Sequence, residues 1–367
     1  MIPFNDLKPL HALLADELNA AALRALNSGW YILGPELEAF EAAFAAWHGV
    51  GHAVGVANGT DAIELALRAG GVGPGDEVIT VAHTAVPTVC AVERAGATPV
   101  LVEINPDTYT MDPDAARAAV TARTKALLPV HLYGHPADMD ALAALAARHN
   151  LLLLEDCAQA HGARWRGQTV GTFGQMAAFS FYPTKNLGAY GDGGAVITND
   201  AQLAERLRLL RNYGQSVRYH NVARGVNSRL DEVQAAILRV KLAHLDAHNA
   251  QRRSLAAVYD RSLDGVTLPR AAAAAEHVYH LYVVRHPRRD HLIEALKARG
   301  VGTLIHYPVP VHRQPAYADL GYPPGSLPLT EQIAQEIVSL PLYIGLTAGD
   351  VETAAAAVRA SVKELAD

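Results

Sequence analysis

The chain has 367 residues, of which 50% are hydrophobic and 19% charged, and its formal net charge at pH 7 is −6. This length predicts one large domain and one smaller domain, and the acidic balance argues against a protein that binds nucleic acid. No apolar run has the length of a membrane span, and the opening MIPFNDLKPL lacks the layout of a secretion signal. We therefore expect a cytoplasmic protein in which Cys90 and Cys157 are reduced core residues.

The first half of the chain alternates short apolar segments with helical patterns. Apolar residues at three- and four-residue spacing from Leu37 to Trp47 predict a helix, and residues 60–69 and 138–149 follow the same pattern. This alternation, with continuously apolar strands, predicts an α/β fold with a buried, mostly parallel sheet. The predicted strands are residues 52–56, 77–81, 98–104, 126–130, 151–155, 176–181 and 195–198.

From about residue 230 onwards the pattern contains more helix and fewer strands. A long helix is predicted over residues 230–263, and one strand over residues 280–284. We predict a large domain over residues 12–245 and a smaller C-terminal α+β domain over residues 246–367, to which residues 1–11 could belong. The remaining predicted helices are residues 289–299, 331–339 and 350–363.

The segment Asn58-Gly59-Thr60-Asp61 lies between a predicted strand and a predicted helix. Free backbone N–H groups at a helix start, together with the Thr60 hydroxyl, are the parts of a phosphate site. An ordinary Asn-Gly turn in which Thr60 is the N-cap explains the same residues. Taken alone, the ordinary turn is the favoured interpretation.

Glu155-Asp156 ends an apolar strand, and Gln159 and His161 follow closely. An acid at this position points into the crevice where α/β sheets bind ligands, and a carboxylate there could keep a pyridine nitrogen protonated. The alternative is an acid that caps the next helix. His161 could stand near a ligand, but a structural histidine fits at least as well.

Residues 179–194 carry one lysine in a glycine-rich turn after a strand. Ser180 could donate a hydrogen bond to a phosphate, and Lys185 could form a Schiff base with an aldehyde cofactor. A lone lysine in a loop is usually only solvated. A strand, a hydroxyl, a lysine and glycines about thirty residues after a strand-end acid are much rarer by chance, so this segment favours the catalytic interpretation.

Several segments together resemble the DegT/StrS family of nucleotide-sugar aminotransferases, which depend on pyridoxal 5'-phosphate (PLP). They are NGTDAIELAL, GDEVIT, EDCAQAHGA, FSFYPTKNLGAYGDGGAVITND, LRNYG and NSRLDEVQAAIL, and the likeness covers about residues 5–365. The resemblance implies the aspartate-aminotransferase fold, fold type I of the PLP-dependent transferases, with a mostly parallel mixed sheet. It also implies L-glutamate as the amino donor and a homodimer with active sites between the subunits.

The resemblance assigns roles to single residues. Lys185 matches the Schiff-base lysine and proton shuttle, Asp156 the partner of the pyridine nitrogen, and Gln159 the contact to the phenolic oxygen. Asn227 matches the residue that reaches the phosphate from the other subunit. A lysine in place of histidine argues against the dehydrating branch of the family. The residues that match the phosphate contacts are Gly59, Thr60 and Ser180.

The loop His83-Thr84-Ala85-Val86 carries the information about the sugar. Many family members that aminate a 4-keto sugar have an aromatic residue after this threonine, where it stacks on the PLP ring. The form found here, with Ala85 beside the cofactor, is similar to members that convert dTDP-3-keto-6-deoxyhexoses into 3-amino-3,6-dideoxy sugars. A 4-keto nucleotide sugar is the alternative. His83 could stack on the ring instead, or it could only hold the loop.

Residues 305–312 resemble the family's loop at the substrate mouth, which places His306 and Tyr307 near the sugar or its phosphates. Weaker candidates, for which core packing or a plain surface loop is also a good explanation, are Tyr182, Tyr31, Tyr219 and His220. We predict no metal site. A PLP-binding regulator without catalysis is disfavoured because Lys185 and Asp156 are both present, and an NAD-dependent oxidoreductase because no Gly-x-Gly-x-x-Gly follows the first strand.

Overall fold

The computed structural model describes residues 1–366, in which α-helices and β-strands alternate along most of the chain. The helices are α1 (Lys8–Leu13), α2 (Ala15–Asn27), α3 (Pro35–His48), α4 (Gly59–Ala69), α5 (Val86–Arg94), α6 (Pro113–Ala118), α7 (Met139–His149), α8 (Ala201–Leu210), α9 (Glu232–Ser262), α10 (Arg289–Ala298), α11 (Pro328–Glu336) and α12 (Ala348–Ala366). The strands are β1 (His52–Val56), β2 (Glu77–Val81), β3 (Thr98–Val102), β4 (Thr124–Leu127), β5 (Leu152–Asp156), β6 (Arg164–Trp165), β7 (Gln168–Thr169), β8 (Met176–Ser180), β9 (Gly194–Thr198), β10 (Gln215–Val217), β11 (His220–Asn221), β12 (Ala275–Glu276), β13 (Tyr282–Arg285) and β14 (Ile337–Leu340).

Seven strands form one mixed sheet in the order β1-β9-β8-β5-β4-β2-β3. Neighbouring strands are parallel except at β9, which is antiparallel to both β8 and β1. These are the seven strands that the apolar segments predict, and the largest difference is in β4, which ends at Leu127 rather than at Val130. The predicted mostly parallel sheet is confirmed.

The sheet is buried on both faces, which explains why most residues of its strands are apolar. In β8, Ala177 and Phe179 pack into one hydrophobic cluster, whereas Met176 and Ala178 pack into another cluster on the opposite face. Alternate side chains of a strand point to opposite faces, so both faces of a central strand must be apolar.

The direction of the strands brings four chain segments to one edge of the sheet. Because β9 is antiparallel to both of its neighbours, β1 points the same way as β8, β5 and β2. The residues that follow these four strands therefore meet at their common carboxyl ends, where open α/β sheets bind ligands. Register places Asp156 of β5 opposite Ala178 of β8, two residues before the end of that strand.

The C-terminal part is built on α9, an unbroken helix of 31 residues that packs against α2, α3 and α12. Beyond it, β13 and β14 pair antiparallel, with Tyr282 opposite Leu340. Ile2 joins this part through a parallel bridge to Val301. The predicted division near residue 245 falls inside α9, and the proposed domain limits stay a prediction. None of the helices within residues 1–366 is long and apolar enough to cross a membrane.

The predicted helix over residues 331–339 is partly wrong. The helix α11 ends at Glu336, and the next four residues form β14. Ile337 and Val338 are β-branched and favour a strand, and β13 offers them hydrogen bonds and apolar cover. Because this partner lies about fifty residues earlier in the chain, local periodicity does not reveal the change from helix to strand.

Candidate active site

A cavity of about 480 Å³ lies at the carboxyl edge of the sheet. Most of its lining comes from the residues at or after the ends of β1, β2, β5 and β8, the four segments that the strand directions bring together. Most of the predicted site residues line this cavity, namely Gly59, Thr60, Ala85, Asp156, Gln159, Ser180, Tyr182, Lys185 and Tyr307. The structure therefore collects in one place side chains that are up to about 250 positions apart in the sequence.

Asp156 lies at the bottom of the cavity as the last residue of β5, and its side chain is buried. Its Oδ2 atom accepts a hydrogen bond from the Thr88 hydroxyl at 2.9 Å, and its Oδ1 atom accepts one from the Ala158 N–H at 3.1 Å. Burial raises the pKa of Asp156, while these two donors and the positive charge of Lys185 oppose the rise. The hydrogen bonds thus favour the ionised carboxylate at a buried position.

Lys185 lies in the loop between β8 and β9, where its backbone N–H bonds to the Tyr182 carbonyl at 2.9 Å. Gly188 closes this turn, because a Cβ atom there would overlap the carbonyl of Pro183. Burial lowers the pKa of the Lys185 amine to about 8, and the Asp156 carboxylate opposes this effect. At pH 7 about a tenth of a lysine amine with such a pKa is neutral and nucleophilic, far more than for an ordinary lysine.

The start of α4 forms an anion-binding wall of the cavity. Asn58 is the N-cap, and its Oδ1 atom accepts the Asp61 N–H at 2.8 Å. The first helical residues, Gly59 and Thr60, present backbone N–H groups that have no intrahelical acceptor. A Cβ atom on Gly59 would lie 2.7 Å from the Cβ atom of Ser180, so only glycine lets α4 start this close to β8. Helix N–H groups and two hydroxyls therefore converge, as at phosphate sites.

The side-chain amide of Gln159 is held in one orientation. Its Oε1 atom accepts the backbone N–H of Tyr133 at 2.7 Å, and its Nε2 atom donates to the Tyr307 hydroxyl at 3.0 Å. Because the amide oxygen is occupied by a backbone donor, the side that faces the cavity is the NH₂ group, which has a second proton to donate. Gln159 is thus a hydrogen-bond donor towards an oxygen of a bound ligand.

These residues fit PLP as a ligand. The phosphate needs anion-binding N–H groups, which α4 supplies, and the pyridine nitrogen needs a buried carboxylate, which Asp156 supplies. The aldehyde needs an amine of lowered pKa, and the phenolic oxygen needs a donor, which correspond to Lys185 and Gln159.

Comparison with known proteins gives the family. The sequence model of the DegT/DnrJ/EryC1/StrS aminotransferase family matches residues 13–359. The chain belongs to this family. The family depends on PLP, so the predicted cofactor and the predicted aminotransferase class are confirmed.

Among its curated relatives, the chain is similar to dTDP-3-amino-3,4,6-trideoxy-alpha-D-glucose transaminase of Streptomyces venezuelae, with 56% identity over 344 residues, 93% of this chain and 91% of the relative. It is 48% identical over 360 residues to dTDP-3-amino-3,6-dideoxy-alpha-D-galactopyranose transaminase of Aneurinibacillus thermoaerophilus, which covers 98% of this chain and 99% of the relative. Among solved structures, DesV of S. venezuelae in complex with a ketimine intermediate superposes with a TM-score of 0.97 at 54% identity, over 99% of this chain and 98% of that chain. Such neighbours confirm the predicted PLP-dependent transferase fold.

Other predicted site residues of this aminotransferase lie outside the first cavity. His306 lines a second cavity, and its Nδ1 atom lies 2.9 Å from the Ser339 hydroxyl. The remaining four are exposed on the surface of the single chain and do not line the first cavity, namely Tyr31, Tyr219, His220 and Asn227. Their roles stay predictions. A residue that contributes to the site of a neighbouring subunit is also expected to be exposed in the single chain.

His83 holds the loop rather than facing the ligand. Its side chain is buried, lies outside the cavity lining, and places Nε2 at 2.9 Å from the Tyr133 hydroxyl. Burial lowers the pKa of His83 to about 4, so the imidazole stays neutral. Of the two sequence-based alternatives for His83, the contacts fit the loop-holding one, and Ala85 lines the cavity at the position after Thr84.

Sequence reasoning missed Thr88, Tyr133 and Thr84 as parts of the site. Thr88 lies in the first turn of α5 and Thr84 two residues before that helix, and their hydroxyls lie 3.0 Å apart. Because Thr84 lies outside the helix, the four-residue spacing does not by itself indicate this contact. Nothing in the local sequence marks Tyr133, because its role depends on the backbone N–H that meets Gln159.

A second buried cluster beside the site is structural. His131, Glu155 and Cys157 have their potential ligand atoms within 4.8 Å of one another. Glu155 accepts backbone N–H groups of Gly171 at 2.7 Å and of Phe173 at 2.8 Å, and His131 Nε2 lies 3.1 Å from it. His131 Nδ1 accepts the N–H of Ala137, so Nε2 carries the proton and donates to Glu155. These contacts use the ligand atoms of His131 and Glu155 to fix the loop behind β5.

Proposed function

We propose that this aminotransferase moves the amino group of L-glutamate to C3 of a dTDP-3-keto-6-deoxyhexose and produces a dTDP-3-amino-3,6-dideoxyhexose. Support comes from the two transaminases named above, since both are named for dTDP sugars with the amino group at C3. The main structural support is the cavity in which Lys185 and Asp156 stand together, with the small Ala85 on its wall.

PLP, when bound, supplies an electron sink that lets a carbon next to the amino group lose its proton. The residues of this chain then have separate tasks. Asp156 offers a buried carboxylate, whose ionised form is stabilised by two donors, to the ring nitrogen. Gln159 offers an N–H to the phenolic oxygen, and the first turn of α4 offers N–H groups to the phosphate.

Lys185 is the group that can move protons in this cavity. With a pKa lowered to about 8 by burial, its Nζ atom can accept the proton from the α-carbon of glutamate. In the second half of the reaction, the same atom can return a proton to C3 of the sugar. No other lysine lines the cavity within the described part of the chain, so both transfers are assigned to Lys185.

The test is incubation of the purified protein with PLP, L-glutamate and either a dTDP-3-keto or a dTDP-4-keto 6-deoxyhexose, followed by mass analysis of the product. We expect amination of the 3-keto sugar and release of 2-oxoglutarate. Lys185→Ala should abolish both the reaction and the absorbance band of lysine-bound PLP. Amination of the 4-keto sugar alone would contradict the proposed substrate, whereas a wild-type protein without the band would contradict the proposed role of Lys185.

We also propose a homodimer in which each subunit completes the active site of the other. Asn227 is exposed in the single chain, although the resemblance assigns it to a phosphate contact. The hairpin of β10 and β11 carries Val217 and Tyr219 with 66% and 83% of their surface exposed, and Trp30 is 58% exposed. Large apolar side chains in such positions favour a subunit interface.

A mixing experiment tests the shared site. In the proposed dimer, each site contains Lys185 of one subunit and Asn227 of the other. The homodimers of Lys185→Ala and of Asn227→Asp should therefore both be inactive when PLP is limiting. Reassembled mixtures should regain about a quarter of the wild-type activity, because half of the dimers are mixed and one of their two sites is intact. A mixture that stays inactive while mixed dimers are present would contradict the arrangement.

We further propose that the enzyme works in the cytoplasm. Both cysteines are free thiols, and Cys157 is buried, where burial raises its pKa well above the ordinary value. Free thiols are typical of reducing compartments. Cell fractionation, with activity measured in each fraction, tests this location, and activity outside the cytoplasmic fraction would contradict it.

A further inference from the structure

A second cavity of about 540 Å³ adjoins the first, and Tyr182 lines both. One wall is formed by Phe4 and Asn5 of the N-terminal segment, and another by Leu340 and Leu342 at the end of β14. The two cavities therefore lie on either side of Tyr182, next to the loop that carries Lys185. The chemistry proposed above for Lys185 and Asp156 uses only the first cavity.

Arg252 gives the second cavity a buried positive charge. Its side chain comes from α9, and only 7% of the residue is exposed. The Nη1 atom donates to backbone carbonyls, among them that of Leu342 at 3.0 Å. Burial lowers the pKa of Arg252 to about 10, and no acid acts against this shift. A guanidinium remains charged at neutral pH, and a buried charge without a counter-charge is costly.

Part of the guanidinium is free to bind a ligand. The hydrogen bonds of Arg252 within residues 1–366 all use Nη1, and no carboxylate there forms an ion pair with it. The Nε and Nη2 atoms have no hydrogen-bond partner among residues 1–366, which leaves three N–H groups for a ligand. They belong to a residue that lines the second cavity, which is the open space next to it.

The other polar groups of the cavity suit an anion. Asn5, Thr184 and Thr303 line it, and their side chains can donate hydrogen bonds. The described residues that line it include arginine and two histidines but no aspartate or glutamate. An acidic ligand therefore meets a buried cation and neutral donors without like-charge repulsion.

The cavity is close enough to the reacting atoms to hold part of a substrate. Thr184 immediately precedes Lys185. Burial, and after it the charge of Lys185, lowers the pKa of both His280 and His306, whose side chains line the second cavity. The cofactor phosphate has its own wall at α4, so the anion served by Arg252 is a different one.

We propose that the second cavity is a substrate anion subsite in which the Arg252 guanidinium binds either a carboxylate of the amino donor or the diphosphate of the nucleotide sugar. The subsite rests on the proposed function for the identity of these two anions. Arg252 fixes the charge, while Asn5, Thr184 and Thr303 provide neutral donors around it. The two sources differ in which half of the reaction they serve, and equilibrium binding separates them.

The test introduces a negative charge into the cavity without removing Arg252, because Arg252 also holds three backbone carbonyls and its loss could unfold the chain. Asn5→Asp and Thr303→Asp are the charged variants, and Asn5→Ala and Thr303→Val are their uncharged controls. The holoenzyme in its PLP form is titrated calorimetrically with 2-oxoglutarate and, separately, with dTDP. Neither titration depends on which keto sugar the enzyme aminates.

We expect the aspartate variants to weaken binding of one of the two probes by about tenfold or more, since a like charge at close range costs at least about 1.4 kcal/mol. The uncharged controls should change the same Kd by less than about threefold. A loss confined to 2-oxoglutarate identifies the donor carboxylate, and one confined to dTDP identifies the diphosphate. Unchanged Kd values in the folded aspartate variants, or equal losses in the uncharged controls, would overturn the subsite.

If the enzyme aminated a different keto sugar, the proposed substrate would be wrong, but the binding of 2-oxoglutarate would still test the proposed subsite. Retention of the PLP absorbance band in every variant shows that the fold and the first cavity are intact. Arg252→Lys is the conservative variant. It should keep measurable binding of the anionic probe because the positive charge remains, although lysine lacks the planar guanidinium donors of arginine.

Discussion

Replacement of Thr88 by valine should shift the acid side of the pH–rate profile to higher pH. The Thr88 hydroxyl uses its single proton on Asp156, so the Thr84 hydroxyl at 3.0 Å must be the donor in the pair of threonines. Valine has nearly the same shape but no hydroxyl. The change therefore removes one donor from Asp156 Oδ2 and leaves only the Ala158 N–H, which bonds to the other oxygen.

The size of the shift follows from the strength of this hydrogen bond. A buried hydrogen bond to a charged group contributes about 1.5–3 kcal/mol, and about 1.4 kcal/mol corresponds to one pH unit, so we expect a shift of about one to two pH units. Burial already raises the pKa of Asp156, and the loss of a donor to the ionised form raises it further. Activity should thus fall first at the acid end of the range.

The assay is kcat measured between about pH 5 and pH 9 for the wild type, Thr88→Val and Thr88→Ser. Serine keeps the hydroxyl and should leave the acid limb near its wild-type position. Three superimposable profiles would refute the role of Thr88, and a serine variant that behaves like valine would show that the methyl packing, rather than the hydroxyl, supports Asp156.

Three further substitutions test the framework around the site. Burial lowers the pKa of Lys241 from 10.5 to about 8, so between pH 8 and pH 10.5 the unfolded chain binds more protons than the folded chain. The free energy of unfolding of the wild type, measured with denaturant, should therefore rise with pH across this range relative to that of Lys241→Met. Glu232→Gln should lower the free energy of unfolding by about 2 kcal/mol or more, because the Glu232 carboxylate accepts three backbone N–H groups at the start of α3. The control Asp231→Asn removes no cap hydrogen bond and should lower the free energy of unfolding by less than about 0.5 kcal/mol. Gly59→Ala should weaken PLP binding about tenfold or more in equilibrium dialysis, because its Cβ atom pushes α4 away from Ser180.

The strands of the large sheet were predictable because burial on both faces leaves a local trace. A segment such as Met176–Ser180 is apolar at nearly every position, and turns bound it on both sides. The same logic places Asp156, Thr60 and Lys185 at one edge, since parallel strands share their carboxyl ends. The ends of β1 and β2 match the prediction, whereas those of the other five strands differ by one to three residues, because the last ladder hydrogen bond depends on the neighbouring strand.

Contacts between distant segments set the limit of the sequence-based prediction. Thr88 acts on Asp156 across 68 positions, and Arg252 reaches the carbonyl of Leu342 across 90 positions. Neither residue belongs to a sequence motif that indicates its role. Arg252 in particular looks like an ordinary charged residue of a long helix, and only the fold shows that it is buried beside an open cavity.

Burial alone does not explain how Lys185 and Asp156 come to have complementary tasks. It pushes the pKa of the amine down and that of the carboxyl up, so both groups would tend to be neutral. The hydrogen bonds break this symmetry. Asp156 receives two donors that favour its charge, whereas the Lys185 amine has no hydrogen-bond partner within residues 1–366. The same low-polarity cavity can therefore keep a carboxylate ionised for the pyridine ring and an amine free to take a proton, and the donors on Asp156 are the part that mutation can separate from burial.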